Sequence, residues 1–167
     1  VFAIAVPSDA VDSHAEMLDQ AGARPKAAYS KAVALSYAAG QSDAIVVDVK
    51  ANEAAVVLVR DETPQVVHQL PLAGGDVPAN QLAEEIAGGV EQMAAFYQDY
   101  QAFEAVGASS ALPVVLTGDR PDNVEVSDAL RRVMRREVIA PAPDLDYPEF
   151  FSPGEYAVNL GLALASK

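Results

Sequence analysis

Hydrophobic and polar positions alternate in blocks that predict short strands followed by strand–helix units. Three apolar runs, at 44–49, 54–60 and 65–70, are separated only by short polar turns. Runs of this length with such short connections predict an antiparallel meander. The first run ends with a lone carboxylate followed closely by a polar turn, at Asp48 and Lys50.

A long amphipathic helix is predicted after the meander, at about 80–105. Apolar residues recur there at helical spacing: Leu82, Ile86, Val90, Met93, Tyr97, Tyr100 and Phe103. We expect most of this series to form the core beneath the sheet.

Two further strand–helix units complete the predicted order. A buried strand at 112–119 leads to a helix through Leu130 and Met134, and a strand within 136–144 ends in a Pro-rich loop. The sequence SPGE at 152–155 is typical of a capping box with proline at the first helical position, which predicts a C-terminal helix. The order after the N-terminal segment is therefore β-β-β-α-β-α-β-α, an α/β fold.

The N-terminal segment is predicted to contain one strand and two helices. A strand-like run at 2–6 precedes a helix that Ser8 can cap and Gly22 can end, and a short Ala-rich helix follows at about 31–39. Because the chain starts in a strand-like run without an initiating Met or a basic segment, we expect no signal peptide and a piece of a longer protein.

Composition excludes several classes of partner and site. The 167 residues include 11 basic and 24 acidic side chains, so the formal net charge is -13. A field of this sign repels nucleic acid and anionic lipid surfaces. The absence of cysteine rules out disulfides and thiolate metal sites. No run approaches the roughly 20 apolar residues of a membrane span, so direct insertion is not expected.

Isolated histidines and acidic pairs have structural interpretations that outweigh functional ones. His14 and His68 have no partner at metal-ligand spacing, and we expect both at the surface or at a sheet edge. Glu84 and Glu85 fall in the first turn of the long helix, where carboxylates interact favourably with the helix dipole.

A basic cluster and a glycine pair also have structural interpretations. On one continuous helix, Arg131 would share a face with Arg135, and Arg132 with Arg136. A solvated face is the expected role, and docking to an acidic partner is the alternative. The glycines at 88–89 predict close packing of another backbone against the long helix.

Six segments carry a resemblance in their order along the chain. They are FAIAVPSDAVDSHAEMLDQAGARPKAAY, VVDVKANEAAVVLVRD, LPLAGGDVPANQL, LAEEIAGGVEQMAAFYQDY, VVLTGD and YAVNLGLALAS. These segments resemble, in order, the PilM family of type IV pilus assembly proteins. The second segment is similar to that family's second phosphate segment, the third to its Gly-Gly loop and the fifth to its adenosine-side turn. The division protein FtsA shares the architecture.

The resemblance implies a specific fold and domain division. Residues 43–167 would form a ribonuclease H-like half-domain of an actin-like ATPase, with a mixed five-stranded sheet. Residues 1–42 would be the tail of the preceding subdomain plus a connecting helix. The last two strands should run parallel to the first, with 114–116 beside Val46 rather than at a sheet edge.

The resemblance also implies a function and a partner. It indicates a cytoplasmic adaptor at the inner-membrane platform of a type IV pilus, recruited by the cytoplasmic tail of a membrane-anchored PilN-type protein. That tail would be held near the subdomain to which residues 1–28 would belong. The alternative is an ATP-binding actin-like ATPase domain of a pilus or cell-division protein.

The nucleotide site implied by the resemblance consists of Asp48, Lys50, Gly74, Gly75 and Gly118. In a nucleotide-binding relative, the carboxylate at position 48 would lie near magnesium through water. The glycines would let the backbone approach phosphate and the adenosine closely.

Several of these positions depart from the family pattern. Lys50 replaces a glycine, Ala54 replaces a hydroxyl-bearing threonine, and Asp119 adds negative charge beside the adenosine turn. Lys50 could place a point charge on phosphate, or it could be a solvated neighbour of an Asp48 that caps a strand end. We expect the second: an inherited phosphate turn without its chemistry. The sequence thus predicts no cofactor and no metal for this chain, and leaves ATP and magnesium as possible ligands of the full-length protein.

Overall fold

The computed structural model describes residues 5–73, 77–98, 112–118 and 124–165. Within these ranges the helices are α1 (Ser8–Gln20), α2 (Lys31–Ala39), α3 (Ala79–Gln98), α4 (Val124–Met134) and α5 (Ala157–Ala165). The strands are β1 (Ala44–Val49), β2 (Glu53–Arg60), β3 (Thr63–Pro71), β4 (Val114–Gly118) and β5 (Val138–Ile139). Most of the strand predicted at 2–6, and the predicted continuation of the long helix beyond residue 98, lie outside the described residues.

The strands form one mixed sheet in the order β3-β2-β1-β4-β5. β1, β2 and β3 pair in antiparallel fashion, whereas β4 is parallel to β1 and β5 is parallel to β4. Val46 pairs with Val115 at the centre of the sheet. The predicted five-stranded topology is therefore confirmed.

Helices cover both faces of the sheet. Alternation along β1 directs Val47 to one face, where it packs in a core with Ile86 of α3 and Leu130 of α4. Val46 faces the opposite side, where it packs with Leu35 of α2 in the layer that also contains α5. Asp48 has the same parity as Val46 and therefore lies on the face covered by α2.

The turn between β2 and β3 is tighter than predicted. Asp61 and Glu62 have φ of 48° and 60°, and Arg60 pairs directly with Thr63. Two left-handed residues between paired strands match the twist of a hairpin, although glycine or asparagine is the usual choice. Asp43 supports the turn, because its Oδ1 accepts a hydrogen bond of 3.1 Å from the Asp61 N–H.

The ends of the first two helices partly match the prediction. Pro7 is the N-cap of α1, and no side chain caps this helix, so the role predicted for Ser8 is wrong. Gly22 does adopt a left-handed conformation, with φ of 78°. α2 has the predicted bounds: the Ser30 hydroxyl caps its start, and Gly40 ends it with φ of 63°.

Two helix boundaries differ from the prediction near the C-terminus. α5 begins at Ala157, later than the predicted capping box at 152–155 implies, because a turn comes first. α4 ends at Met134, and Arg135 takes a left-handed φ of 50°. The predicted sharing of helix faces by the basic cluster is therefore wrong. Arg136 donates instead to the Leu112 carbonyl at 3.4 Å, and burial lowers its pKa.

Two other arginines of the cluster, Arg131 and Arg132, bind within the chain. Arg131 donates a hydrogen bond of 2.7 Å to the carbonyl of Val138 in β5. Arg132 donates one of 3.2 Å to Asn80 in α3. Both side chains thus connect α4 to its neighbours, β5 and α3.

The glycine pair in α3 does not admit another backbone. A Cβ on Gly89 would approach the Leu70 side chain of β3 to 2.8 Å, whereas one on Gly88 would meet no described residue within 4 Å. Gly89 therefore makes room for a side chain, and the predicted backbone approach is wrong.

Candidate functional site

Those candidate nucleotide residues that the structure describes come together where β1 and β4 end. These strands are parallel, so their carboxyl ends share one edge of the sheet, which is where ligands bind in open α/β sheets. Asp48 pairs with Thr117, and Val49 pairs with Gly118. The structure therefore brings Asp48, the first residues of the Lys50 turn and Gly118 together. Gly74 and Gly75, like Asp119, lie outside the described residues.

Gly118 is required by the packing of the two strand ends. Its φ is 100°, and a Cβ there would overlap the backbone of Val49. Its N–H donates a hydrogen bond of 3.1 Å to the Gly154 carbonyl. A structural role for this glycine follows, whether or not a ligand ever lies on the turn.

The Lys50 turn closes as an ordinary hairpin. The Lys50 N–H donates to the Glu53 carbonyl at 2.8 Å, and none of the residues 50–53 has a positive φ. The Lys50 side chain is partly buried, whereas an inert turn was expected to leave it in solvent. Ala54 is fully buried and has no hydroxyl for a ligand.

The carboxylate of Asp48 is buried and engaged on both oxygens. Asp48 is only 1% exposed. The Thr117 hydroxyl donates a hydrogen bond of 2.9 Å to Oδ1. The ammonium nitrogen of Lys31 lies 2.5 Å from Oδ2. Within the described part of the chain, Oδ2 accepts no hydrogen bond of acceptable geometry, so the ion pair alone meets its charge.

Lys31 is the site residue that the sequence did not reveal. It is the first residue of α2, and its side chain reaches from the surface to Asp48. The Lys31 side chain remains 35% exposed. A cation in the first turn of a helix is opposed by the helix dipole, and the first turn of α2 contains no acidic residue. That unfavourable placement is the one signal in the sequence that could have indicated a use for Lys31 elsewhere.

A shallow groove of about 260 Å³ lies beside this ion pair. It is formed where α2 leaves the edge of the sheet uncovered, and its lining includes Lys31, Leu35, Val57 and Val67. Val67 is exposed there because it belongs to the edge strand β3. The lining is mainly apolar, and Lys31 supplies its charge.

The other polar candidates have structural roles or lie alone. His14 is exposed, with Nδ1 2.7 Å from the Ala10 carbonyl oxygen in its own helix, and His68 is half-buried on the edge strand. α3 begins at Ala79 and its first turn contains no acidic residue, so the predicted first-turn position of Glu84 and Glu85 is wrong. Glu85 instead accepts a hydrogen bond of 3.2 Å from the Ala73 N–H. Across 5–73, 77–98, 112–118 and 124–165, no three His, Asp or Glu side chains are grouped closely enough to hold a metal ion.

A second, larger groove lies along α1. No residue of α1 is buried, and Val11 is 42% exposed. The apolar side of this helix, the segment 25–29 and Leu162 of α5 enclose about 550 Å³. The Tyr29 hydroxyl ties the segment to α5 by donating to the Ala165 carbonyl at 3.1 Å.

In the described ranges, no helix combines the length and the apolar character needed to cross a membrane.

Comparison with known proteins identifies the fold. No protein-family model matches the chain, and no curated protein matches it in sequence. Among solved structures, the ethanolamine utilization protein EutJ from Carboxydothermus hydrogenoformans is similar over 96% of this chain, with a TM-score of 0.61 and 18% identity. A chain of the PilM–PilN type IV pilus biogenesis complex is similar over 95% of this chain, with a TM-score of 0.56 and 20% identity. The AlfA filament from B. subtilis is similar over 79%, with a TM-score of 0.53 and 19% identity.

The chain therefore has the ribonuclease H-like fold of actin-like ATPases. PilM is one of several similar structures and is not singled out among them. This chain spans 62% of the EutJ chain, 58% of the chain from the PilM–PilN complex and 42% of the AlfA chain. At such identities the likeness concerns the fold.

Proposed function

We propose that this chain is part of a cytoplasmic adaptor of a type IV pilus assembly complex, with a nucleotide site that has lost its chemistry. The observation that carries the proposal is the exposed apolar side of α1. A helix with an apolar stripe is stable in water only where that stripe meets another surface. Within the described residues, α1 buries none of its side chains, so this stripe is suited to a partner.

The partner proposed is the cytoplasmic tail of a membrane-anchored PilN-type protein. Support comes from the motif resemblance to PilM and from the similarity to a chain of the PilM–PilN complex. A groove of about 550 Å³ with an apolar lining suits a short peptide that inserts a few apolar side chains. In this proposal, residues 1–42 are the tail of a preceding subdomain plus the connecting helix α2, and residues 43–167 are the ribonuclease H-like domain.

Titration calorimetry tests the adaptor proposal directly. The protein would be titrated with the cytoplasmic-tail peptide of the PilN-type protein from the same genome, and micromolar binding is expected. Val11→Asp places a charge in the α1 groove and should abolish that binding. Ser13→Asp is the matched control, because it adds the same charge on the opposite side of α1 and should leave binding intact.

Either of two results would count against this proposal. No binding by the unmodified protein would exclude the pilus partner. Equal loss in both variants would show that the net charge, rather than the α1 groove, controls the interaction.

The alternative is an ATP-binding actin-like ATPase domain of a pilus or cell-division protein. The fold supports it, since one similar structure is an AlfA filament bound to AMPPNP. The site residues favour the adaptor, because Asp48 is engaged within the chain by Lys31 and Thr117.

A further inference from the structure

The carboxylate that the fold would use near a metal already has a cation. Actin-like ATPases bind nucleotide together with magnesium. The surroundings of Asp48 decide whether its carboxylate fits such an ion. Mg²⁺ requires near-octahedral oxygen ligands at about 2.0–2.1 Å and usually keeps several waters. Asp48 is 1% exposed, and its two oxygens face the Thr117 hydroxyl and the Lys31 ammonium. Because this carboxylate is buried and already meets an ammonium group, it does not fit a hydrated dication, which the ammonium would also repel.

We infer that the Lys31 ammonium is a permanent counter-ion of Asp48 that takes the place of a divalent metal. An isolated buried carboxylate is strongly destabilising, and a close cation removes most of that cost. In a metal-binding protein the ion would supply the compensating charge. Here a side chain of the same polypeptide supplies that charge. The carboxylate at the carboxyl end of β1 is therefore neutralised in the absence of any ligand.

The backbone explains why Lys31 can reach this position. Ser30 caps α2 and fixes its first turn, and the next residue lies above the end of β1. Asp48 faces the same side because it follows Val46 at strand spacing. Lys31 and Val57 both line the apolar groove, and the Lys31 ammonium reaches the buried carboxylate of Asp48.

This inference rests on the second half of the proposed function, the loss of nucleotide chemistry, and is independent of the pilus partner. It predicts two properties of the chain. Lys31 and Asp48 should act as one energetic unit, and Asp48 should be closed to divalent cations unless Lys31 is removed.

A double-mutant cycle tests the energetic unit. Lys31→Met keeps the stem and removes the charge, leaving Asp48 uncompensated, so the Tm should fall by about 10 °C. Adding Asp48→Asn removes the stranded charge and should restore at least half of that loss. A double variant no more stable than Lys31→Met would overturn the inference.

Metal-dependent thermal shifts test the closure of the site. An acidic chain binds Mn²⁺ weakly at its surface, so the reference for each protein is the same protein with Asp48→Asn. MnCl₂ should change the Tm of the unmodified chain and of Asp48→Asn equally. Lys31→Ala should gain several degrees more from MnCl₂ than Lys31→Ala with Asp48→Asn.

A larger Mn²⁺ response in the unmodified chain than in Asp48→Asn would show that the site is open to metal and would overturn the inference. The same holds if Lys31→Ala gains nothing. Should Lys31→Ala fail to fold, the unmodified chain, Asp48→Asn and the double-mutant cycle still decide. None of these outcomes bears on peptide binding at α1, so failure here and failure of the adaptor proposal are distinguishable.

Discussion

Gly161 of α5 lies against the backbone carbonyl of Ala34 in α2, so closely that a Cβ on Gly161 would overlap the carbonyl oxygen. This contact brings the backbones of the two helices together on one face of the sheet. The same helix pair holds Leu35 and Ala157 in the core on that face. Since α2 also contains Lys31, this helix contact supports the position from which the lysine reaches Asp48.

Gly161→Ala should therefore destabilise the fold. Overlap with a backbone atom cannot be relieved by a side-chain rotation, so we expect a loss of about 1–3 kcal/mol in urea denaturation. Gly88→Ala is the control: its Cβ would meet no described residue within 4 Å, and the substitution should stabilise α3 by roughly 0.5–1 kcal/mol. Equal effects of the two substitutions would refute the proposed contact.

Gly118→Ala combines two costs at the mouth of the sheet. Its φ of 100° is unfavourable for any L side chain, and its Cβ would overlap the Val49 backbone. We expect a loss of about 3 kcal/mol in the free energy of unfolding. Gly22 also has a positive φ, but a Cβ there would meet no described residue within 4 Å, and the residue follows a helix that buries none of its side chains. A loss below about 1 kcal/mol is expected for the control Gly22→Ala, and similar losses at the two sites would contradict the argument.

Thr117 should matter through its hydroxyl. Thr117→Val keeps the shape of the side chain but removes the donor to Asp48 Oδ1, which should cost about 1.5–3 kcal/mol because the acceptor is charged and buried. Thr117→Ser retains the hydroxyl and should lose only about 1 kcal/mol for the missing methyl group. Chemical denaturation of both variants measures the difference, and a Ser variant as unstable as the Val variant would exclude this role.

Lys50→Gly distinguishes an inert turn from a replaced phosphate cradle. Position 50 does not have a positive φ, so glycine gains nothing there and should destabilise the hairpin by no more than roughly 1 kcal/mol. Binding of the PilN-type peptide should be unchanged. If Lys50 did contact phosphate, the substitution would weaken nucleotide binding by the full-length protein tenfold or more, about 1.4 kcal/mol.

Nucleotide binding by this chain alone should be negligible. The turn has lysine in place of glycine, Ala54 offers no hydroxyl, and the net charge is -13. We expect a dissociation constant for ATP weaker than about 1 mM, equivalent to roughly -4 kcal/mol. Isothermal titration with ATP and magnesium measures it, and micromolar affinity would refute the degenerate site.

Local patterns in the sequence determined most of the secondary structure and the sheet order. The bounds of α2 and β1 follow from a serine cap, a glycine stop and a short apolar run, all of which act between near neighbours. Strand pairing followed from short connections and from the handedness of strand–helix units. The approach of Asp48 to Gly118 could be predicted for the same reason, since parallel strands end at one edge.

Tertiary packing alone decided the state of the candidate site. Lys31 meets Asp48 only because α2 crosses the face of the sheet to which Asp48 points. The overlap that requires glycine at position 161 depends in the same way on a helix distant in sequence. Contacts of this kind join residues with no shared local pattern. Their energies depend on burial and on the distance between charged groups, and both are set only when the layers pack. The sequence thus determined where the turn after Asp48 would lie, and the packing of α2 decided which cation would meet the Asp48 carboxylate.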